Sequence, residues 1–303
     1  MSYKRGLLLV FLTAVISGFS IFINKFGVSG INPYLFTFLK NSIVALLLLS
    51  LIIAFQEVKS LKMLKRTQWL NLILVGLIGG SIPFLLFFKG LSIISSANAS
   101  FIHKTMFIFV AVLAMAFLKE KLNKGFFLAA ALLLVGNFLL LRFIWKDIGL
   151  GDGLILIATI FWAGENVLSK HLLAGMSPRV LAFGRMFFGS LFTLVFLFIT
   201  GGITSIGSIG ASHWLWILAT SILLFGYVIT WYTGLKEIEV SLATSILLLG
   251  SVITTILDFV FSYSVLTLAQ AAGLAAITSG AFLVVIFTIK KNYAFSTATP
   301  KCT

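Results

Sequence analysis

The residues in this chain whose types could do chemistry are ionisable groups set inside long apolar runs: Lys40, Lys89, His103, Lys104, Glu165, Arg185 and Asp258. A charge in hydrocarbon is expensive. Such groups therefore pair, reach for the interface, or mark a path for a substrate or ion. Lys40 follows Pro33 by seven residues and Lys104 follows Ala97 by seven, so each lies about 10 Å inside one membrane face. Glu165, fourteen residues after Gly151, and Arg185, seven after Pro178, lie about 10 Å from the opposite face. Glu165 and Arg185 thus share a level with opposite charge, which reads either as an inner gate or proton-sensitive pair or as a structural ion pair. Lys104 has no acid nearby in its own run. It calls for a substrate carboxylate or phosphate, for Asp258, or for helix carbonyls. His103 is turned about 100° from it and is either a relay member or a packed ring. Asp258 stands level with Lys25 and Lys89 and reads mainly as their structural partner.

Neutral residues surround these charges. Trp162 precedes Glu165 by three residues and shares its face. Asn24 and Asn166 offer hydrogen bonds. Tyr227, Trp231 and Tyr232 form either a cavity wall with polar edges or interfacial anchors. The candidate substrate-binding residues are Lys104, His103, Asn24, Trp162, Asn166, Tyr227 and Trp231. The candidate gating or proton-coupling residues are Glu165, Arg185 and Lys40. Gly79-Gly80 and Pro83 permit a kink, with Gly226 in the matching region of a later run; glycines also let helices pack closely.

The elements that must position these groups follow from composition. Of 303 residues, 60% are hydrophobic and 10% charged; mean hydropathy is +1.15, with 31 Phe and 4 Pro. A soluble chain is charged at about a quarter of its residues. A water-soluble enzyme, a disordered chain and a collagen-like chain are excluded, and the runs lack the short alternation of an outer-membrane barrel. At about twenty apolar residues per crossing, ten helices are expected: 6–27, 33–55, 69–88, 97–118, 125–144, 151–171, 178–200, 213–235, 241–263 and 267–289. The fifth carries Asn137 and Arg142 in its second half.

Net charge is +14 with pI near 10.0. The basic residues punctuate the spans instead of forming one face, so no nucleic-acid partner is expected. Lys4, Arg5, Lys59, Lys62, Lys65, Arg66, Lys119, Lys121, Lys124, Lys170, Arg179, Lys236, Lys290, Lys291 and Lys301 fall on one side. The other side holds Arg142, Lys146 and, at a helix end, Lys25. Both termini are therefore expected in the cytoplasm, with the chain multi-pass in the plasma membrane. The first run continues to Asn24 without a cleavage site and reads as a retained span rather than a signal peptide. A lone cysteine, Cys302, allows no intrachain disulfide or cysteine cluster.

The chain also repeats. At an offset of 145, Lys25 meets Lys170, Pro33 meets Pro178, Phe38 meets Phe183, Lys40 meets Arg185 and Trp69 meets Trp214. One residue of slippage then aligns Gly90-Leu91 with Gly234-Leu235, Ala99 with Ala243 and Ser100 with Thr244. The expected units are residues 1–146, residues 147–291 and a cytoplasmic tail, 292–303. Five helices per unit is odd, so the second copy enters the membrane inverted, an architecture of alternating-access carriers with a site at the repeat interface.

The stretches NKFGVSGINPYLFTFLK and SKHLLAGMSPRVLAFGR resemble the drug/metabolite transporter superfamily, specifically its EamA-type exporters. KGLSIISSANASFI and its counterpart YTGLKEIEVSLATSI carry the same resemblance. FLKEKL matches that family's acid at the end of the fourth helix as Glu120, whereas FSYSVL, ending the ninth, has none. The resemblance implies a cavity lined by helices 1, 3, 4, 6, 8 and 9, and amino acids or related metabolites as substrates.

The sequence thus points to a secondary transporter that exports small zwitterionic or anionic metabolites by alternating access, with Glu165 or His103 as candidate proton carriers. The alternatives are a multidrug-type exporter of lipophilic cations, for which Glu165 would be the open carboxylate, and a channel or scramblase. An enzyme is not expected: H-E-x-x-H, G-x-S-x-G and aspartate-rich diphosphate motifs are missing, and His103, His171 and His213 are dispersed. No cofactor is called for. The expected partners are a small-molecule substrate and the bilayer, with a monomer sufficient and a homodimer compatible.

Overall fold

The computed structural model describes residues 2–141, 149–262 and 267–298. Arg142, Lys146, Lys301, Cys302 and most of FSYSVL lie outside them, as do the side chains of Lys290 and Lys291. Among the described residues every long element is helical. We number them α1 (Ser2–Gly27), α2 (Pro33–Ala54), α3 (Arg66–Val75, Gly76–Ser81 and Ile82–Ile93), α4 (Ser96–Lys104, Met106–Leu113 and Ala114–Leu118), α5 (Lys124–Leu141), α6 (Leu150–Leu172), α7 (Pro178–Ile199), α8 (Ala211–Glu237), α9 (Val240–Leu247 and Leu249–Ser262) and α10 (Leu268–Ala298). Nine contain stretches long and apolar enough to cross a membrane; in α5 that stretch, Lys124–Leu140, is shorter. The chain is a polytopic membrane protein turned inside out relative to a soluble one. Leu8, Phe117, Ile199 and Phe282 face outward, while Lys40, Lys104, Glu165 and Arg185 are buried.

Local chemistry sets the helix starts. The Asn32 side chain accepts from the Tyr34 and Leu35 amides, and Pro33 opens α2 where its missing N–H costs nothing. Ser95 caps α4 by accepting from the Asn98 amide at 3.1 Å.

The kink expected in α3 takes the form of a wide, π-helical turn over Gly76–Ser81. Pro83 has no N–H to give the Gly79 carbonyl four residues earlier. Side chains from other helices satisfy it instead: Trp162 Nε1 at 2.9 Å and Arg185 Nη2 at 3.1 Å. The Gly80 carbonyl likewise accepts from Asn41 Nδ2 at 2.9 Å. Glycine is required here, since a Cβ on Gly79 would overlap the Glu165 side chain and one on Gly80 the Arg185 carbonyl. α4 and α9, expected as continuous helices, are interrupted at Thr105 and Leu248.

Packing exchanges partners between the two halves of the chain. α1 lies along α8 and α9, while α6 lies along α3 and α4; α2 packs on α7, and α5 on α10. Two sets of polar contacts recur. Lys25 Nζ donates to the Leu91 and Ile94 carbonyls at 2.9 and 2.6 Å, closing the end of α3. Lys170 Nζ donates to the Leu235 and Ile238 carbonyls, both at 2.8 Å, closing the end of α8. Cations over exposed carbonyls suit the negative end of a helix.

Glu120, after α4, accepts from the Val240 amide at 2.9 Å and from the Ser241 amide and hydroxyl at the start of α9. Asp258, late in α9, accepts from the hydroxyl of Ser96 at the start of α4, at 3.2 Å. The Lys25 or Lys89 partner expected for Asp258 is thus replaced by a serine, because Lys25 is spent on carbonyls. The acid missing from FSYSVL thus has a counterpart in Asp258, earlier in the sequence.

Candidate functional site

Seven helices converge on a central cavity. From α1, Ser17, Ser20, Ile21 and Asn24 form one stripe of its wall, at spacings of three and four that share a helix face. Lys40 of α2 and Arg185 of α7 also reach the wall, whereas among the described residues α9, which the resemblance implied, contributes none to the lining.

Two polar clusters flank the cavity. In the first, Asn24 Nδ2 donates to the Ser20 carbonyl at 2.6 Å and to the Ser20 hydroxyl at 2.9 Å. Its Oδ1 then accepts from Lys40 Nζ at 3.1 Å. The Lys40 ammonium sits 3.7 Å over the Phe88 ring, with Phe36 and Phe84 also within cation–π range. Among the described residues no carboxylate lies within 4 Å of it.

In the second cluster, Glu165 Oε1 accepts from Ser169 Oγ at 2.5 Å and from the Tyr232 hydroxyl at 2.6 Å. Arg185 Nη1 donates to the Tyr232 oxygen at 2.9 Å and lies 3.6 Å from Glu165 Oε2. The pair is buried: Glu165 is fully so and Arg185 only 5% exposed. The expected ion pair is therefore present, bridged by a tyrosine.

Rings form much of the remaining wall. Phe84, Phe87 and Phe88 project from one side of α3 below the wide turn. Phe87 meets Trp162 at 5.3 Å, and His103 packs edge-on against Trp162 at 5.1 Å and Phe87 at 5.6 Å. His103 Nδ1 is buried and has no hydrogen-bond partner among the described residues. Facing this group, Asn166 Oδ1 accepts from Trp231 Nε1 at 2.9 Å, and Tyr227 stacks on Trp231.

Of the sequence-expected residues, His103, Asn24, Trp162, Asn166, Tyr227, Lys40 and Arg185 lie on the cavity wall. Lys104, Trp231 and Glu165 stand one layer behind it. Lys104 donates to Ser17 Oγ at 2.7 Å instead of entering the cavity or pairing with Asp258. Trp231 acts through Asn166, and Glu165 through Arg185. Sequence reasoning missed Ser17, Ser20 and the three α3 phenylalanines. Ser20 had a usable signal, since at the offset of 145 Ser20 and Asn24 fall on Glu165 and Ser169.

A polytopic helical protein whose two halves meet around a polar, ring-walled cavity has the form of a membrane transporter. The chain belongs to the EamA-like transporter family, whose model matches residues 4–142 and 149–286. It is 26% identical over 288 residues to "Riboflavin transporter ImpX" of Fusobacterium nucleatum, covering 89% of this chain and 94% of that one. An uncharacterized transporter of Archaeoglobus fulgidus is 26% identical over 228 residues, covering 73% and 80%. One of Methanothermobacter thermautotrophicus is 32% identical over 115 residues, covering 36% and 34%. A solved crystal structure superposes with a TM-score of 0.75 at 20% identity, over 94% of this chain and 98% of its own, which shows a common fold.

Proposed function

We propose that the protein is a secondary transporter that exports a small anionic or zwitterionic metabolite by alternating access, with the central cavity as its substrate site. The observation that carries this reading is Lys40, a buried ammonium on the cavity wall with no carboxylate within 4 Å among the described residues. An unneutralised cation in a membrane interior is complemented by a ligand's negative charge. In this reading α5 completes ten spans, and residues 1–146 and 147–291 are inverted five-helix repeats. The tail, 292–303, and the N-terminus face the cytoplasm across the plasma membrane. The paired capping lysines and the two family-model matches support that arrangement. Glu165, Arg185 and Tyr232 form the gate, and protonation of Glu165 would free Arg185 to move. One chain supplies every wall, so a monomer suffices.

The multidrug alternative needs a carboxylate open to the cavity, and Glu165 is instead fully buried behind Arg185. A second reading, a planar heteroaromatic substrate such as riboflavin, is favoured by the rings of Phe84, Phe87, Phe88 and Trp162 and by the ImpX relative.

The test is efflux from proteoliposomes preloaded with labelled amino acids or riboflavin, with and without a pH gradient. Selective efflux of zwitterions or anions, abolished in Lys40→Gln, is the expected result. Movement of hydrophobic cations alone, unchanged in Lys40→Gln but lost in Glu165→Gln, would overturn it. Riboflavin efflux that survives Lys40→Gln selects the second reading.

A further inference from the structure

Two lysine amines on the α1 side of the cavity have no carboxylate beside them among the described residues. Lys40 and Lys104 are 1% and 2% exposed, and among the described residues no carboxylate lies within 4 Å of either. Arg185, the third cation at the site, is compensated by Glu165. Both lysines rest on the same stripe of α1. Lys40 Nζ is held by Asn24 at 3.1 Å, and Lys104 Nζ by Ser17 at 2.7 Å. Seven helical residues separate Ser17 from Asn24, a rise of about 10 Å. Ser17 is on the cavity wall and accepts from Lys104, so its own hydroxyl proton remains to be donated inward. Lys104 therefore presents its charge to the cavity through Ser17, although it touches no ligand itself.

Building on the reading of this cavity as an anion-transport site, we propose that its ligand is a dianion: Lys40 holds one acidic group, and Ser17, backed by Lys104, holds the other. A monoanion leaves one buried ammonium uncompensated, whereas two negative charges balance both. The two anchors stand about two turns apart along α1, so the ligand carries its acidic groups at separate ends, joined by a spacer such as a para-substituted benzene ring or a short alkyl chain. The rings of Phe84, Phe87, Phe88 and Trp162 offer that spacer an apolar surface. The charges sit at the ends of the ligand and its apolar part in the middle.

Matched acids test this on the full chain in proteoliposomes: terephthalate against benzoate, and adipate against hexanoate, each read by counterflow and by competition. Each diacid is expected to compete at least ten-fold better than its monoacid. Lys104→Gln and Ser17→Ala should each bring the diacid down to the affinity of the monoacid, and Lys40→Gln should weaken both acids. Ser17→Ala removes one wall hydroxyl and the hydrogen bond that holds Lys104 but keeps both lysines, so the test stands even if Lys104→Gln does not accumulate. Equal competition by mono- and diacids, or a diacid preference that survives Ser17→Ala, overturns the dianion while leaving anion transport intact. If no acid of either kind competes and Lys40→Gln is silent, the anion reading itself falls.

Discussion

The two polar clusters beside the cavity occupy repeat-related positions and solve the same problem in opposite ways. Ser20, Asn24 and Lys40 stand where Glu165, Ser169 and Arg185 stand 145 residues later. In both, the residue on the first or sixth helix bonds the one four positions along, and a cation from the next helix completes the group. Only the second contains a carboxylate. Arg185 is accordingly neutralised and tied to Tyr232 and the Gly79 carbonyl, whereas Lys40 leans on an amide and a phenylalanine face. One cluster is electrically finished within the chain. In the other, no carboxylate lies within 4 Å of the cation among the described residues. Near-equal geometry with unequal charge fits the proposed division, in which the second cluster is a gate that ties its helices together while closed and the first meets the ligand.

That division can be broken most sharply at Arg185. Arg185→Ala leaves Glu165 buried without its counter-ion, and removing one partner of a buried pair costs about 3–5 kcal/mol. Unfolding in mixed detergent micelles should show a loss of that order, with Glu165→Gln in the same background recovering part of it. Gly79→Ala should come next. Its Cβ would overlap the Glu165 side chain, and overpacking costs about 1–3 kcal/mol, read in the same unfolding assay.

The repeat-related serines give a finer contrast. Ser169→Ala removes a hydrogen bond to a charged group, about 1.5–3 kcal/mol, while Ser20→Ala removes a neutral one of about 0.6 kcal/mol. Equal losses in the two variants would erase the asymmetry. A comparably small stability effect is expected at Lys40. Lys40→Gln discards an uncompensated charge and should unfold within about 1 kcal/mol of wild type, although it abolishes anion efflux. A large loss there would make Lys40 a structural residue.

Much of the fold was legible because bilayer thickness imposes a length on every apolar run, and the runs of this sequence have that length. The pairing of Lys25 with Lys170 was visible as a register, but its purpose was not. What the two lysines cap are backbone carbonyls, which no residue type reports. Depth along a helix was equally readable, and it put Lys104 at cavity level. Direction around the helix was not, and a lysine turned toward Ser17 stands behind the wall. Phe84, Phe87 and Phe88 were hidden by abundance, three among 31 phenylalanines. The breaks at Thr105 and Leu248 fall on residues that ordinarily sit within helices, so nothing in the local composition announced them. Asp258 escaped recognition as the counterpart of Glu120 because it reaches its serine from six residues earlier than the repeat register predicts.

The turns between α3 and α4 and between α8 and α9 are each gripped from two directions: a lysine holds the carbonyls on the incoming side, and a carboxylate holds the first serine on the outgoing side. A knuckle clamped in this way acts as a fixed pivot. Rearrangement of the helices that follow must then be absorbed further along, at Thr105 and Leu248, where the hydrogen-bond ladder is already interrupted. The root of each arm is the shorter part, nine residues in α4 and eight in α9, and thirteen and fourteen residues lie beyond the break. In the alternating-access reading proposed above, opening the cavity asks that longer part to swing while its root stays put.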